Sequence, residues 1–309
     1  DRVGKLVVVE MVFADAHQRL GYELALGRSG DEVLEGVATP GVLTHLDPAL
    51  REPGVPVGGI HHQIGLGTPE NLEALREVDR QFGRILAREA ALPEDERVNI
   101  VTMSDHGMVT LLGSKLDLAE EFRKGGFTVG ETTEDGSDVA IAISSAGGIY
   151  VRNSDPDLIE QIITWLQGQV WCGPLFTRSS ARTLRHQHIR SDHRRAADIA
   201  IVLRSYDFAN HYGLAGGTVH DCHYPEGGGM HGGLHECEVC SWLAMRGRNV
   251  RSGYESPLTA GVVDVLPTVL HFLNIDIPDH LQGRLLREGL EAYADNDLPE
   301  TSKDIQFAA

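Results

Sequence analysis

Asp105 and His106 stand side by side in the segment TMSDHGM (102–108), directly after a run of apolar residues. Two other segments have a similar arrangement. Asp15 and His17 follow the apolar part of VVVEMVFADAH, and His231 lies in the glycine-rich stretch GGGMHGG, just ahead of another apolar run. Zinc takes aspartate and histidine ligands in hydrolytic sites, where the protein leaves one coordination position open. Taken alone, each segment could be only a turn. The repetition of the pattern in three segments favours metal binding.

These residues need a rigid scaffold, and the hydrophobic pattern predicts one. Apolar, β-rich runs predict strands, several of them apolar on both faces as central parallel strands are, at 5–13, 98–103, 139–143, 148–151, 197–203 and 240–245. Amphipathic spacing predicts helices over 70–88 and 155–168 and within DVLPTVLHFLNIDIP. The alternation of strands and helices predicts an α/β fold with a mostly parallel central sheet and helices on both faces. At the carboxyl edge of such a sheet the loops that carry Asp15, Asp105 and His231 would converge.

Other histidines compete for the same roles. His220, His223 and His235 lie close to His231 in the chain, so one of them could be the ligand instead. His61 and His62, in GGIHHQIG, could line a substrate entrance or could be ordinary loop residues. The His- and Arg-rich segment RHQHIRSDHRR could supply cations to a phosphate site or form a solvated turn, and we favour the turn. The glycine-rich stretch 212–233 is expected to be a surface excursion.

Composition limits the classes of protein to consider. The chain has 309 residues, 41% of them hydrophobic, which is enough for one large α/β domain. With 27 Lys and Arg against 45 Asp and Glu, the formal charge is -18, so duplex nucleic acid is excluded as an expected partner. No apolar stretch reaches the roughly 20 residues of a membrane span, and no signal peptide is visible. The pattern therefore leaves the compartment and the oligomeric state open.

The four cysteines do not form the framework of a disulfide-rich protein in a chain of this length. The CEVC pair (237–240) could bind zinc or carry out redox chemistry. A structural zinc site, however, needs a second pair at similar spacing, and Cys172 and Cys222 are isolated. Ordinary thiols are the favoured interpretation.

Three segments together resemble the type I phosphodiesterase and nucleotide pyrophosphatase family of the alkaline phosphatase superfamily. The first is LREVDRQFGRILAREAALPEDERVNIVTMSDHGM, which ends in the Asp-His-Gly signature. The others are HGGLHECEVCSWLAMRG, similar to that family's late histidine motif, and VVDVLPTVLHFLNIDIPDHLQGR, similar to the superfamily's final helix and its Gly-Arg ending. The resemblance extends over most of the chain after residue 5. It implies a single alkaline-phosphatase-like domain over residues 1–309, with room for a small insertion around 110–195.

The resemblance also implies a two-zinc site. Two divalent metal ions, zinc in this family, would lie about 4 Å apart with a Thr or Ser nucleophile between them. Asp105 and His106 would help to hold the metal that activates the nucleophile, while Asp15, His17 and His231 would hold the other. The identity of the metal stays open because such ligands also accept other divalent ions.

Two departures from the family pattern affect these expectations. The early motif normally spaces its Asp and His four residues apart, whereas here Asp15 is followed by His17 and the +4 position is Arg19. In the family, the nucleophile and the first metal-binding aspartate precede this motif, yet only fourteen residues precede Asp15, and Thr39 lies on its wrong side. We therefore expect an N-terminally truncated piece of a longer enzyme, without the nucleophile.

Three functions are compatible with these sequence features. The first is a phosphodiesterase or pyrophosphatase acting on a small phosphate ester. The second keeps the fold but acts on another ester, as a phosphomonoesterase, phosphonate hydrolase or sulfatase relative, because a fold does not fix a function. The third is a metal-binding or partner-binding domain without catalysis.

Overall fold

The computed structural model describes residues 6–10, 57–191 and 193–294. The described chain divides into two compact units. One comprises residues 6–10, 76–105 and 242–294, and the other comprises residues 57–75 and 106–241. Asp15, His17 and Thr39 lie outside the described residues. Among the described residues, no helix is both long and apolar enough to cross a membrane.

The first unit contains a three-stranded sheet in the order β1-β2-β13. Its strands are β1 (Leu6–Glu10), β2 (Asn99–Met103) and β13 (Leu243–Arg246). Strand β2 runs parallel to β1 and antiparallel to β13. All five residues of β2 are buried, as expected for a central strand that is apolar on both faces. Most of helix α2 (Pro69–Ala90) and all of helix α6 (Val265–Phe272) belong to this unit.

Two buried carboxylates, Asp264 and Glu288, hold the segment that follows α6. Asp264 accepts hydrogen bonds from the backbone N–H groups of Gly261 and Arg284, each at 2.8 Å. The Arg284 guanidinium then donates to both carboxylate oxygens of Glu288, at 2.8 and 2.7 Å. Glu288 is buried, so this bidentate pair satisfies a carboxylate that would otherwise be costly to bury. Arg284, from the Gly-Arg ending of the sequence motif, thus links Asp264 to Glu288.

The second unit contains a six-stranded sheet in the order β4-β5-β6-β9-β7-β8. Its strands are β4 (Val129–Gly130), β5 (Val139–Ile143), β6 (Ala146–Val151), β7 (Cys172–Thr177), β8 (Leu184–Arg185) and β9 (Ile199–Leu203). Helices α3 (Leu118–Lys124) and α4 (Pro156–Leu166) pack on it through a buried apolar cluster that includes Phe122, Ile163 and Ile201. Asp155 caps the N-terminus of α4 by accepting hydrogen bonds from the N–H groups of Asp157 and Leu158.

A four-stranded sheet in the order β10-β11-β3-β12 completes the second unit. Its strands are β3 (Val109–Leu111), β10 (Ser205–Ala209), β11 (Ala215–Thr218) and β12 (Gly229–Met230). Two short helices also belong to this unit, α1 (Val57–Ile64) and α5 (Glu236–Val239). The glycine-rich stretch 212–233, expected at the surface, contributes β11 and the buried strand β12 to this sheet.

The α/β class is as predicted, but the described sheets are mixed rather than mostly parallel. Of the strand pairings among the described residues, six are antiparallel and four are parallel. Connection length explains part of the difference. Strands β5 and β6 are joined by Ser144 and Ser145 alone, and so short a link can join only antiparallel strands. Apolar runs predict strands well, but they do not fix the direction of pairing.

Candidate metal centre

Strand β2 brings the Asp-His pair to the end of a buried sheet. After Met103, the backbone N–H of Ser104 donates to the Trp242 carbonyl at 3.1 Å, and the Trp242 N–H donates to the Ser104 hydroxyl at 3.2 Å. Asp105 and His106 follow and are half-buried. The boundary between the two compact units falls between these two residues. The sequence prediction that a rigid strand carries this pair is therefore in line with the fold.

Gly107 fixes the path of the loop after His106. Its N–H donates to the Glu238 carbonyl at 2.8 Å, and a Cβ at this position would overlap the carbonyl oxygen of Cys237. The His106 Nδ1–H in turn donates to the Gly107 carbonyl at 2.8 Å. This tautomer places the lone pair on Nε2, the arrangement typical of a metal-ligating histidine whose other nitrogen is held by a backbone carbonyl.

His231 lies against His106. It directly follows strand β12, and its carbonyl accepts a hydrogen bond from the Ser145 hydroxyl at 2.9 Å. The His106 and His231 rings are stacked, with centroids 3.8 Å apart and planes inclined by 22°. Two loops that are far apart in the chain thus bring two of the predicted ligands together.

His62 is a third imidazole beside His106 and His231, and the sequence pattern left its role open. It lies in helix α1 rather than in a loop, and it is buried. Its Nδ1–H donates to the Gly229 carbonyl at 2.6 Å, its ring stacks on Tyr224 with centroids 4.6 Å apart, and it lies 5.3 Å from the His231 ring. The run of glycines before His231 is the sequence feature that indicates this close packing of His62. A Cβ at Gly228 would overlap the His62 carbonyl oxygen, so glycine is required where α1 packs on this segment.

Glu238 is the buried carboxyl group beside this cluster. It accepts hydrogen bonds from the N–H groups of Gly233, at 2.8 Å, and His235, at 3.2 Å. Burial raises the pKa of Glu238, and these two hydrogen bonds together with the electrostatic interactions with His235 and His106 partly oppose that rise. Glu238 therefore organises the backbone that precedes the Cys237–Cys240 segment.

The competing histidines near His231 have other surroundings. His220 is buried, donates to the Gly113 carbonyl at 3.1 Å and contacts the Cys222 thiol at 3.3 Å. His235 caps α5 by accepting from the Cys237 N–H, and its Nε2–H lies 3.3 Å from Asp207. Each of these two rings thus has hydrogen-bond partners at both nitrogens. His223 is exposed and packs on Tyr224 with centroids 4.4 Å apart.

All four cysteines are free thiols. Cys237 lies in α5, and Cys240 caps its C-terminal end. Burial raises the pKa of Cys172 to about 11 and also raises the pKa of Cys222 and Cys237. Raised values disfavour the thiolate form that metal binding and redox chemistry require.

Two of the predicted metal ligands, His106 and His231, lie together among the described residues. Imidazole is a ligand that zinc and other divalent ions accept, and the His106–His231 pair fits such an ion by ligand chemistry. Within residues 6–10, 57–191 and 193–294, no group of three or more His, Cys, Asp or Glu side chains is close enough to hold a metal ion. The other predicted ligands, Asp15 and His17, lie outside these ranges.

The sequence profile of the type I phosphodiesterase / nucleotide pyrophosphatase family matches residues 56–233, more than half of the chain. This chain belongs to that family. The family resemblance expected from the Asp-His-Gly and His-Gly motifs is therefore confirmed. No curated protein sequence matches the chain at a significant level.

Solved structures similar to this family member include a substituted variant of the alkaline phosphatase PafA. That match has a TM-score of 0.54 and 14% identity, and it covers 76% of this chain and 46% of PafA. An inactive variant of murine ectonucleotide pyrophosphatase / phosphodiesterase 5 in complex with AMP matches with a TM-score of 0.48 and 15% identity, over 70% of this chain and 52% of that one. The human protein of the same name matches with a TM-score of 0.49 and 14% identity, over 72% and 52%. The chain thus spans about half the length of these structures, and the PafA match supports an alkaline-phosphatase-like α/β fold.

Proposed function

We propose that this family member is the metal-binding part of a phosphoric ester hydrolase that cleaves phosphodiester or pyrophosphate bonds in a small substrate. Family membership supports the class of reaction. The stacked pair of His106 and His231, contributed by two motifs of that family, is the single observation that carries the assignment of the site.

In this proposal Asp105, His106 and His231 bind divalent metal ions together with Asp15 and His17. The ions are two in number and are zinc by family resemblance, and when bound they stabilise negative charge on phosphoryl oxygens. They also supply positive charge to a chain whose formal net charge is -18 and which would otherwise repel a phosphate ester. We assign no residue of this chain to the nucleophile.

The chain's own residues have distinct tasks around these ligands. The Gly107 carbonyl holds the Nδ1–H of His106 and so directs its Nε2 lone pair. The Ser145 hydroxyl holds the His231 carbonyl. Neutral imidazole is the form in which these rings would bind metal.

Hydrolysis assays test the reaction class. Bis(p-nitrophenyl) phosphate, p-nitrophenyl phosphate and p-nitrophenyl sulfate should be compared on the zinc-loaded product of the complete gene and on its His106→Ala and exposed control His223→Ala variants. A diesterase predicts that the diester is the preferred substrate and that only His106→Ala loses the activity. Preference for the monoester or the sulfate would move the assignment to another branch of the superfamily, and no turnover of any ester would favour a binding domain.

Two finer features of the fold belong to the same proposal. We infer that the parallel pair β1–β2 is part of a larger, mostly parallel sheet, and that residues 1–309 form one domain with an insertion around 110–195. A single cooperative unfolding transition by two spectroscopic probes would support one domain, and two separated transitions would contradict it.

A further inference from the structure

A cavity in the first compact unit lies at one end of the β2–β13 pair. These strands are antiparallel, with Arg246 opposite Ile100, so the chain entering β2 and the chain leaving β13 meet at the same end of the sheet. The cavity there has a volume of about 410 Å³. Its charged lining consists of Arg97, Arg246, Arg248, Arg251, Glu89 and Glu94.

The charge of this lining is opposite in sign to that of the whole protein. Four arginines against two glutamates give a formal charge of +2 around the cavity, on a chain whose formal charge is -18. An acidic protein gains no solubility from collecting four guanidinium groups in one place, and their mutual repulsion costs free energy. A bound anion would relieve that repulsion.

The arginines are held by contacts that use a small part of their donor capacity. Arg246 lies 3.6 Å from the buried carboxylate of Glu89, and Arg97 donates to the Ala90 carbonyl at 3.4 Å. Arg248 donates to the Glu94 carbonyl. Each guanidinium carries five N–H donors, so most of the donors of these three side chains remain for solvent or a ligand.

Arg251 is anchored more firmly than the other three. It donates to the Glu288 carbonyl at 3.0 Å, and its guanidinium carbon lies 3.8 Å from the centre of the Tyr254 ring. Stacking on an aromatic face orients the plane of a guanidinium group. One wall of the cavity therefore presents a pre-oriented guanidinium.

We propose that this cavity, here called the arginine cavity, binds a phosphate-bearing anion with at least two negative charges. Guanidinium groups match phosphate oxygens in a bidentate manner, and a charge of +2 requires a multiply charged partner for neutralisation. The volume is within the range of small-molecule sites and exceeds what a single phosphate ion needs. The histidine cluster, which consists of His62, His106 and His231, contributes no residue to this cavity. The proposal is therefore independent of the proposed hydrolase activity.

Titration calorimetry with inorganic pyrophosphate tests the arginine cavity. The measurement uses the full chain carrying His106→Ala and His231→Ala, in a chelating buffer, so that binding or hydrolysis at the histidine cluster does not contribute. On this background, Arg248→Ala and Arg97→Ala should each weaken pyrophosphate binding by about 5- to 10-fold, because each removes charge-assisted hydrogen bonds at a partly solvated site. Arg248→Lys should keep the positive charge but lose the planar guanidinium that donates two parallel hydrogen bonds. It should therefore weaken pyrophosphate binding less than Arg248→Ala does.

The matched control is Arg123→Ala, which removes an exposed arginine paired with Glu120 in the other unit. It should leave the affinity within about twofold of the parent. Sulfate, titrated in parallel, reports the binding of any anion to a positive surface. Absence of pyrophosphate binding would overturn the proposal. Binding unaffected by Arg248→Ala and Arg97→Ala, or matched by sulfate, would mean an adventitious anion only and would also overturn it.

Discussion

The imidazole rings of His106 and His231 lie stacked, with centroids 3.8 Å apart. The contact brings together two imidazoles, side chains that bind divalent metal ions in their neutral form. This contact joins the motif after β2 to the motif after β12.

His62 should position His231 without binding metal itself. His62→Ala removes its stacking on Tyr224 and its hydrogen bond to Gly229, so we expect a loss of about 2 to 3 kcal/mol in the free energy of unfolding. His62→Phe keeps the aromatic ring and should recover part of that loss. Both variants should weaken zinc binding by about 10-fold, measured by competition with a chelator. Unchanged zinc affinity in His62→Phe would assign His62 a purely structural role, and His223→Ala, at the exposed end of the stack, is the control.

His61 should make the protein less stable in mild acid. Burial, with a smaller contribution from the neighbouring His62, lowers the pKa of His61 from 6.5 to about 4. The unfolded chain therefore binds a proton at this position between pH 6.5 and 4 while the folded chain does not, so stability is lost as pH falls through this window. The expected loss is about 3 kcal/mol, and it should be absent in His61→Gln. Denaturant unfolding at several pH values measures it, and equal pH dependence in both proteins would refute the prediction.

Alanine substitutions at Gly228 and Gly83 should change the stability of the protein in opposite directions. A Cβ at Gly228 would overlap the carbonyl oxygens of His62 and Pro225, so Gly228→Ala should displace helix α1 and destabilise the protein by about 1 to 3 kcal/mol. Gly83 lies within α2 with open space around its Cα, so Gly83→Ala should stabilise the protein by about 0.5 to 1 kcal/mol. The midpoint of thermal unfolding distinguishes the two directions. A neutral Gly228→Ala would show that α1 does not pack closely on this segment.

The thiols should differ strongly in reactivity. Cys240 is exposed, whereas Cys172 is buried with a pKa raised to about 11, which leaves very little thiolate near neutral pH. A thiol reagent such as dithionitrobenzoate should modify one cysteine rapidly in the native protein, and Cys240→Ser should remove that phase. Cys172→Ser should leave the rapid phase unchanged. If the rapid phase persisted in Cys240→Ser, Cys237 would be the reactive residue.

Local pattern was enough for about half of the strands and α-helices that the structure describes. The apolar runs at 98–103, 139–143 and 197–203 correspond to β2, β5 and β9, and the amphipathic spacing over 70–88 corresponds to α2. Pairing direction was not predictable, because strand direction depends on connections and long-range partners rather than on the apolar pattern.

The candidate site was partly visible in the sequence. Asp105, His106 and His231 could be selected because each follows or precedes an apolar strand with glycine beside it. The role of His62 could not, since it depends on the packing of α1 against Gly228 and Gly229, a contact between segments far apart in the chain. The arginine cavity was hidden for the same reason, because Arg97 and Arg248 meet only when β2 and β13 pair.

Metal content per chain tests directly whether His106 and His231 bind metal. The protein should be purified without added metal and analysed by elemental mass spectrometry beside His231→Ala and the control His223→Ala. At least one zinc or other divalent ion per folded chain is expected, retained in His223→Ala and reduced in His231→Ala. A folded chain without metal, or equal metal content in all three proteins, would contradict it.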